Sequence, residues 1–337
     1  MPMHCTAISN CEQRDLNLAL SRPILLLPLR VVWLMTKEFP VWFNGKIRDH
    51  EDCTVHVRSH ALHYGSSVFE GIRAYNTHAG TQIFRLTDHL KRLLWSASVY
   101  RIPVPYTLEE LHVACRDMVR ASGLSSAYLR PIVFRGDCGL GVIPNDMNVV
   151  DVAIMIADWG THLGEGALER GVNACITSWQ RLAPNTMPAG VKAAGNYLSS
   201  QLIGFEARDR GFTEGIALGV DGLLSEGAGE NIFIVRDNRI VTPPVSASIL
   251  AGITRDTVLK LAGDLKFDVV EQSLSREQLY AADEVFFTGT AVEVTPVNQI
   301  DQMTYQAPGQ ITKHIQDAFF GLFDGRTRDE RNWLEAP

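Results

Sequence analysis

Residues 149–166, VVDVAIMIADWGTHLGEG, mark the place where the character of the chain changes. Their first part, Val149–Asp158, is nearly continuous in apolar side chains, as is Ser126–Arg135 before it, and such runs predict buried strands. Three glycines then fall within seven residues, which indicates a connection between domains. The expected organisation is a leader over 1–36, a small N-terminal α/β domain over 37–158, an interdomain connection over 159–168 and a larger C-terminal domain over 169–337.

Helix and strand signals alternate on both sides of this connection. Val41–Ile47 predicts a hairpin, because Asn44-Gly45 supplies the positive φ angles of a type I′ turn. Thr87 is expected to cap one helix, and the capping box Thr107-x-x-Glu110 to open another. We predict helices over 87–100, 107–123, 197–208, 254–265 and 311–322, and strands over 72–75, 82–86, 172–179, 232–235, 269–274 and 284–288. Helices and strands mixed in two unequal halves favour an α+β fold.

The composition describes an ordinary globular protein of enzyme size. The chain has 337 residues, of which 46% are hydrophobic and 20% charged, and this length favours two domains. The net charge is -7, and no block of lysines and arginines supplies a basic face. We therefore expect neither nucleic acid nor a membrane as a partner.

Neither the cysteines nor the histidines predict a metal site. The six cysteines include no C-x-x-C pair, which also argues against a disulfide framework and favours the cytoplasm. His56, His60 and His63 have helical spacing, but no carboxylate or thiolate lies nearby in a fitting pattern. We expect structural histidines and no metal.

Residues 1–36 differ from the rest of the chain. The segment Ile24–Leu34 is apolar, but it is too short to span a bilayer, and Pro28 and Arg30 interrupt it. Acidic residues precede it and no A-x-A cleavage site follows it. We interpret this part as a non-essential leader, with Met35 beginning the working protein, and a membrane anchor as the less favoured alternative.

Lys192 lies in a run of small and apolar residues, Ala183–Ser200, with the sequence APNTMPAGVKAAGNYLSS. No carboxylate lies within several positions on either side. Desolvation penalises the charged form of an amine, and a neutral amine can attack a carbonyl and hold it as a Schiff base. The alternative is a lysine at the rim of a loop with its head in water.

A phosphate-binding site is predicted at Ala251–Asp256, where a glycine turn leads directly into a helix. The free NH groups of Ile253 and Thr254 can bind an anion there. A plain N-cap by Thr254 is the alternative. Phe287–Ala291 offers further NH groups and hydroxyls, because a hydrophobic strand ends there in a glycine between two threonines.

Two carboxylates lie in the glycine-rich turn Ser225–Asn231. Glu226 and Glu230 can each reach the edge of a flat ligand, because glycines let the backbone approach it closely. We expect one of the two to be structural.

Together these features favour pyridoxal 5′-phosphate as the cofactor. It needs a phosphate seat, a lysine such as Lys192, a carboxylate for its pyridinium proton and a hydroxyl such as that of Tyr197. No P-loop, no G-x-G-x-x-G between strand and helix and no G-x-S-x-G elbow predicts a rival chemistry.

Four motifs resemble those of the bacterial branched-chain amino-acid aminotransferases, which belong to fold type IV of the pyridoxal-phosphate enzymes. They are HALHYGSSVFEGIR (His60–Arg73), APNT (Ala183–Thr186) with Lys192 and GNYL (Gly195–Leu198), SEGAGEN (Ser225–Asn231) and GITRD (Gly252–Asp256). The similarity runs from about Val41 almost to the end of the sequence. It implies a small α/β domain and a larger α+β domain, a pseudo-barrel that carries the lysine.

The resemblance implies a role for each cofactor-site residue. Lys192 is the catalytic lysine, which binds the cofactor and moves a proton between it and the substrate Cα. Glu226 keeps the pyridine nitrogen protonated, and Tyr197 hydrogen-bonds the phenolic oxygen. The remaining cofactor contacts are implied for Arg92, Ile253, Thr254 and Thr290 at the phosphate and for Leu250 against the ring.

The resemblance also implies a substrate pocket. Its apolar walls are Tyr64, Phe69, Val142 and Trp159, its α-carboxylate site is Tyr128 with the NH groups of Thr290 and Ala291, and Arg130 accepts the distal carboxylate of glutamate or 2-oxoglutarate. A buried arginine needs another partner when leucine is bound. Tyr64 and Val142 reach in from a neighbouring subunit, which implies a homo-oligomer of at least a dimer, with a hexamer as the larger alternative.

The implied activity is the reversible transfer of the amino group of L-leucine, L-isoleucine or L-valine to 2-oxoglutarate, giving L-glutamate. His162 departs from the family, whose bacterial members usually carry a tyrosine there, near the distal carboxylate. A charged imidazole attracts a carboxylate more strongly than a neutral one, so glutamate affinity is predicted to depend on pH.

Two alternatives remain open. D-amino-acid or (R)-amine transaminases and aminodeoxychorismate lyases share the fold and the cofactor, although Tyr64–Arg73 is typical of the branched-chain group. A non-catalytic ligand-binding relative would be expected to have lost Lys192 or Glu226, and both are present.

Overall fold

The computed structural model describes residues 39–159 and 163–337. The predicted leader, His162 and part of the predicted interdomain connection therefore lie outside the described residues. The predicted boundaries between the domains stay a prediction.

The described residues form a mixture of strands and short and long helices. The strands are β1 (Val41–Phe43), β2 (Lys46–Arg48), β3 (Ser67–Phe69), β4 (Ile72–Thr77), β5 (Gly80–Phe84), β6 (Ala127–Arg135), β7 (Val150–Ala157), β8 (Val172–Ile176), β9 (Glu214–Leu218), β10 (Leu224–Gly227), β11 (Asn231–Arg236), β12 (Arg239–Thr242), β13 (Asp268–Glu271), β14 (Glu284–Gly289), β15 (Glu293–Ile300), β16 (Met303–Thr304) and β17 (Leu334–Glu335). The α-helices are α1 (His60–Tyr64), α2 (Leu86–Val99), α3 (Leu108–Ser122), α4 (Ala167–Arg170), α5 (Tyr197–Asp209), α6 (Ile253–Asp264), α7 (Arg276–Tyr280) and α8 (Gln310–Asp324). The predicted α+β class is confirmed.

The first sheet is antiparallel, with the strand order β17-β5-β4-β6-β7-β1-β2 and β3 paired with β6. Its β1–β2 hairpin is the predicted one, since Asn44 and Gly45 have φ angles of 47° and 89°. Helices α2 and α3 pack on the sheet through a buried apolar cluster that includes Leu90, Leu93 and Leu111. The long strand β6 pairs with β7 and carries Tyr128 and Arg130, two of the predicted site residues.

The second sheet is mixed, with the order β10-β9-β8-β15-β14-β11-β12-β13 and β16 paired with β15. Strand β8 runs parallel to both of its neighbours, β9 and β15. Residues of α6 and α8 join one apolar cluster with the sheet residues Phe233 and Phe286. A second cluster contains Phe287 and Ile232 from the same strands.

Helix ends were predicted well where the signal is local. The capping box of Thr107 and Glu110 is present, and Gly123 ends α3 in the left-handed conformation with φ 67°. The predicted N-cap Thr87 is wrong, because α2 begins at Leu86 and its N-cap is Arg85, with φ 55°. The carboxylate of Glu335 accepts the hydrogen bond from the Thr87 NH group, at 2.8 Å, and this partner is distant in sequence.

Three predicted strands end earlier than expected. The strand predicted over 172–179 ends at Ile176, and the NH group of Ser178 donates to the carboxylate of Glu206, at 2.9 Å. The strand predicted over 82–86 ends at Phe84, because Arg85 turns the chain into α2. The strand predicted over 269–274 ends at Glu271.

Candidate active site

A cavity of about 470 Å³ is lined by residues of both sheets. Most of the predicted site residues line it: Phe69, Arg92, Tyr128, Arg130, Trp159, Lys192, Tyr197, Glu226, Leu250, Ile253, Thr254, Thr290 and Ala291. They come from helices, strands and loops far apart in sequence, and the fold brings them together. Their individual roles stay predictions.

Lys192 is held in this cavity by main-chain and side-chain contacts. Its Nζ donates to the Tyr197 hydroxyl at 2.6 Å and lies 4.9 Å from the centre of the Phe69 ring. Its main-chain NH donates to Ser96 on α2, at 3.3 Å, and its carbonyl accepts from Phe69, at 3.1 Å. No ion-pair partner of the Lys192 amine occurs within 39–159 or 163–337, so the amine is available to a ligand.

The N-terminus of α6 lies at the cavity without a side-chain cap. The N-cap is Gly252, so the alternative of an N-cap at Thr254 is wrong, and Thr254 is a buried residue of the first turn. The first NH groups of a helix have no acceptor within the helix. A Cβ atom at Gly252 would lie 2.0 Å from Asn231 Oδ1, so a larger residue would displace the Asn231 side chain that donates to Glu226. We call this helix end, together with Arg92, the phosphate seat.

Arg92 is oriented by a buried carboxylate. Glu70 accepts from Arg92 Nε at 2.6 Å and from Nη2 at 2.8 Å, and Arg92 Nη1 donates to the carbonyl of Ala251 at 2.9 Å. His89 Nδ1 lies 2.8 Å from the same carboxylate. Burial alone would raise the pKa of Glu70, but the charge and hydrogen bonds of Arg92 outweigh burial and hold the pKa well below its usual range. Burial lowers the pKa of His89, so Arg92 carries the positive charge of this cluster.

Glu226 lies across the cavity, and both of its carboxylate oxygens have polar partners. Oε1 pairs with Arg181 at 2.7 Å, and Oε2 accepts from Asn231 at 2.9 Å and from the Leu250 NH group at 3.1 Å. Burial raises the pKa of Glu226 to about 7, while the nearby Arg181 charge acts in the opposite direction. A carboxylate of this kind can hold a proton on a ring nitrogen.

Glu230 has a different partner. It lies against Glu214, which accepts from the NH groups of Gly215 at 2.8 Å and Ala228 at 3.1 Å. Burial raises the pKa of both carboxyls, and the Glu214 charge raises that of Glu230 further. Two buried carboxyls in contact share a proton, so Glu230 has the features of the structural member of the predicted pair.

Arg130 stands among aromatic side chains on the other side of Lys192. Its Nη2 donates to the Tyr128 hydroxyl at 3.3 Å, and its guanidinium lies 4.9 Å from the Phe69 ring centre. The Tyr128 ring stacks on Trp159, with centroids 4.4 Å apart. Arg130 has no carboxylate partner in the part of the chain that the structure describes. The hydroxyl and the ring are therefore the partners of this half-buried arginine in the absence of a bound carboxylate.

Three predicted substrate residues do not line the cavity or lie outside the described part. Tyr64 donates to the carbonyl of Leu140 at 2.7 Å and is 44% exposed, and Val142 is 68% exposed. Both side chains lie away from the cavity of their own chain. His162 lies outside the described residues.

Several residues at the site were missed by sequence reasoning. Arg181 pairs with Glu226, and Arg73 donates to the carbonyl of Ala291 at 2.7 Å. A Cβ atom at Gly71 would lie 1.9 Å from the Tyr128 hydroxyl, so this glycine makes room for Tyr128. Glu70, Gly71 and Arg73 belong to the quoted motif His60–Arg73, which was the available signal. Arg181 had no comparable local signal.

The predicted histidines have ordinary partners. His60 Nδ1 lies 2.7 Å from Ser66 Oγ, and His63 Nε2 lies 2.9 Å from the carbonyl of Val57. Within the described ranges, no group of three or more His, Cys, Asp or Glu side chains could hold a metal ion. No helix over the same residues is long and apolar enough to cross a membrane.

The cavity fits a flat, phosphorylated aldehyde. Donor groups without acceptors collect at one end, at the α6 N-terminus, and the buried hydroxyl of Thr288, a lining residue, has no partner among the residues that the structure describes. An amine and a buried carboxylate face the middle of the cavity. These are the groups that pyridoxal 5′-phosphate requires.

Comparison with known proteins gives the family. Residues 67–300 match the sequence pattern of the family described as amino-transferase class IV. The chain is 54% identical over 297 residues to the branched-chain-amino-acid aminotransferase of Escherichia coli (strain K12), covering 88% of this chain and 96% of that protein.

Solved structures agree with this relationship. The crystal structure of the Escherichia coli branched-chain amino acid aminotransferase superposes with a TM-score of 0.88 at 53% identity, covering 89% of this chain and 99% of that one. The branched-chain amino acid aminotransferase from Thermobaculum terrenum, in its PLP-form, superposes with a TM-score of 0.81 at 34% identity, covering 88% of this chain and 97% of that one. The resemblance inferred from the four motifs is confirmed, and this chain belongs to the class IV aminotransferases.

Proposed function

We propose that this chain is a branched-chain amino-acid aminotransferase that transfers the amino group of L-leucine, L-isoleucine or L-valine to 2-oxoglutarate with pyridoxal 5′-phosphate as cofactor. The observation that carries the proposal is Arg130, a cation among aromatic side chains on the substrate side of Lys192. An apolar wall accepts an aliphatic side chain, and a cation without a carboxylate partner accepts the second carboxylate of glutamate. One pocket can therefore bind both substrates in turn.

The cofactor would be held by this chain at its phosphate and at its ring nitrogen. Arg92 and the NH groups of Ile253 and Thr254 would bind the phosphate, and Glu226 would hold the proton on the ring nitrogen. Bound in this way, the cofactor supplies an electron sink for the bond broken at the substrate Cα. Lys192, freed from the cofactor, would move the proton at Cα, and Tyr197, 2.6 Å from its Nζ, would orient it.

The α-carboxylate would be bound at the turn that follows β14. The NH groups of Thr290 and Ala291 and the hydroxyl of Tyr128 all belong to cavity-lining residues. Arg73 stabilises this turn through the Ala291 carbonyl and its ion pair with Glu293, at 3.3 Å. A carboxylate held at this turn would leave Phe69 and Trp159, which line the same cavity, as contacts for the substrate side chain.

A panel of L- and D-amino acids with 2-oxoglutarate as acceptor tests the proposed function. The purified protein is expected to bind pyridoxal 5′-phosphate with a visible absorption band that L-leucine shifts, and to use leucine, isoleucine and valine. Preference for D-amino acids or (R)-amines would favour the alternative members of the same fold. A protein that gains no band with added cofactor would contradict the proposal.

Arg130→Leu is expected to impair the half-reaction with 2-oxoglutarate or L-glutamate and to leave the half-reaction with L-leucine nearly unchanged. The KM for 2-oxoglutarate and for L-glutamate should rise about 10- to 100-fold, because a charge-assisted hydrogen bond to the distal carboxylate is lost. The half-reaction with L-leucine should change by no more than about threefold, since leucine has no second carboxylate. Arg208→Leu, an exposed arginine on α5, is the control. Equal losses in both half-reactions would contradict the assigned role.

The active site is proposed to need a second copy of the chain. Tyr64 and Val142 resemble substrate-wall residues of the family, but both are exposed and lie away from the cavity of their own chain. Light scattering is expected to give at least twice the chain mass of 37.4 kDa. Val142→Glu should weaken the assembly, whereas Val220→Glu, which is also exposed, should not. A monomeric wild-type protein with full activity would overturn this proposal.

The cytoplasm is proposed as the location of the reaction. Cys53, Cys115, Cys138 and Cys175 are free thiols in the structure, as a reducing compartment would keep them. Non-reducing electrophoresis of the protein from cells tests this, and a native disulfide would argue against it.

A further inference from the structure

A segment far from the cavity contacts both helices of the phosphate seat. Residues Arg331–Glu335, which we call the closing segment, include β17 and pair with β5 at the edge of the first sheet. None of these residues lines the cavity. Their contacts nevertheless converge on α2, which carries Arg92, and on α6, whose N-terminus belongs to the seat.

Glu335 binds the first turn of α2. Its Oε1 accepts from the Thr87 NH group and its Oε2 from the Thr87 hydroxyl, both at 2.8 Å. No local side chain caps this helix. A carboxylate at a helix N-terminus also interacts favourably with the helix dipole. The closing segment therefore supplies the cap of α2 from a distance.

Arg85 connects the closing segment to the first turn of α6. Its NH group donates to the Trp333 carbonyl at 2.7 Å, and its guanidinium lies 5.1 Å from the Trp333 ring centre. Its Nη1 lies 3.1 Å from the Ile253 carbonyl, 2.6 Å from an Asp256 carboxylate oxygen and 2.9 Å from the Thr257 hydroxyl. Arg85 is only 6% exposed, and its contacts with the Ile253 carbonyl and the Thr257 hydroxyl are buried, whereas the Asp256 side chain is 42% exposed. One side chain thus joins the start of α2 to the start of α6.

Arg331 binds the other end of α6. Its two terminal nitrogens donate to the two carboxylate oxygens of Asp264, the last residue of the helix, at 2.7 and 2.8 Å. Its guanidinium lies 5.2 Å from the Trp333 ring centre, so the indole lies near both arginines. The closing segment, with Arg85, therefore contacts α6 at both ends.

We propose that the closing segment positions the phosphate seat, by fixing α2 and α6 so that Arg92 and the NH groups of Ile253 and Thr254 face one phosphate. The same few residues set the positions of α2 and α6. The phosphate seat forms only when both helices are correctly placed. Arg85, Trp333 and Glu335 are positioning residues, since they act through Arg92 and through α6. This inference rests on the proposed use of pyridoxal 5′-phosphate.

Binding of the cofactor with and without its phosphate tests the inference. The full chain, freed of cofactor, is titrated with pyridoxal 5′-phosphate and with pyridoxal, for wild type, Glu335→Ala and Arg85→Lys. Glu335→Ala is expected to raise the Kd for the phosphorylated form about fivefold, the size of a lost helix cap. Arg85→Lys should raise it about tenfold or more, because an ammonium group cannot replace a forked guanidinium. The Kd for pyridoxal should change by less than about twofold for both variants, since pyridoxal does not use the seat.

The control and the contrary outcomes are distinct. Glu330→Ala, which removes an exposed carboxylate next to the closing segment, should leave both dissociation constants unchanged. Turnover of Glu335→Ala at saturating cofactor should stay within about twofold of wild type, because the reacting groups are untouched. Equal loss of affinity for both ligands, or no loss for either, would overturn the inference. A wild-type chain that binds neither ligand would instead show that the proposed function is wrong.

Discussion

Replacing Lys192 by alanine is expected to abolish transamination, with a fall in kcat of at least about 10⁴-fold. The amine is the group in the cavity that can bind an aldehyde covalently and then carry a proton to and from the substrate Cα. Its Nζ is bound to the Tyr197 hydroxyl and has no ion-pair partner in the described ranges. The free energy of unfolding should change by less than about 1 kcal/mol, because the side chain belongs to a loop and not to an apolar cluster.

The measurement for Lys192 combines turnover with absorption spectroscopy. The variant should lose the spectral band of covalently bound cofactor and retain the thermal unfolding curve of the wild type. Lys313→Ala is the matched control, since this exposed lysine on α8 pairs with Asp317, four residues on. Residual leucine transamination above a tenth of the wild-type rate would show that another group performs the chemistry.

Replacing Glu226 by glutamine is expected to lower kcat about 10²- to 10³-fold, the usual loss when one electrostatic stabiliser of the reaction is removed. A glutamine cannot ionise, so it cannot hold a proton on the ring nitrogen. It also leaves Arg181, now 2.7 Å from the Glu226 carboxylate, as a buried cation without its partner. The pH at which the bound cofactor changes its spectrum should therefore shift, and this shift separates an effect on the ring from simple destabilisation.

Glu230→Gln is the matched control for Glu226→Gln. Glu230 lies in the same glycine-rich turn, and burial together with the Glu214 charge raises its pKa, which favours Glu230 as the donor of the proton that the two carboxyls share. A glutamine amide at this position can also donate to Glu214. The loss of activity should therefore be at least about tenfold smaller than for Glu226→Gln. Equal losses of activity in the two variants would show that kcat does not depend specifically on the charge of Glu226.

Local signals predicted the parts of the fold and of the site that depend on neighbours in sequence. The Asn44-Gly45 turn, the capping box at Thr107 and the uncapped turn before α6 each follow from a few adjacent residues. The same holds for Lys192 and Tyr197, which lie close together in sequence where a loop enters α5. The motifs also supplied most of the residues that line the cavity.

Partners supplied by distant segments could not be predicted. Arg181 meets Glu226 only because β8 and β10 flank β9 in the second sheet, and nothing near either residue indicates the other. Thr87 is of a residue type that favours N-caps. In the structure its hydroxyl donates to Glu335 instead, and this acceptor is distant in sequence. Such pairs are set by strand order, which the hydrophobic pattern alone leaves open.

The main-chain contacts of Lys192 determine what any relative movement of the two sheets would change. Its NH and carbonyl are bound to Ser96 and Phe69, and the next residue, Ala193, bridges to Val68 of β3. Glu226, by contrast, stands on β10 of the second sheet. Any shift between the sheets would therefore carry the lysine together with Phe69 and change its distance to Glu226 and to the turn that follows β14. The amine and the Phe69 ring are thus held by one sheet, whereas the carboxylate that is proposed to act on the cofactor ring is held by the other.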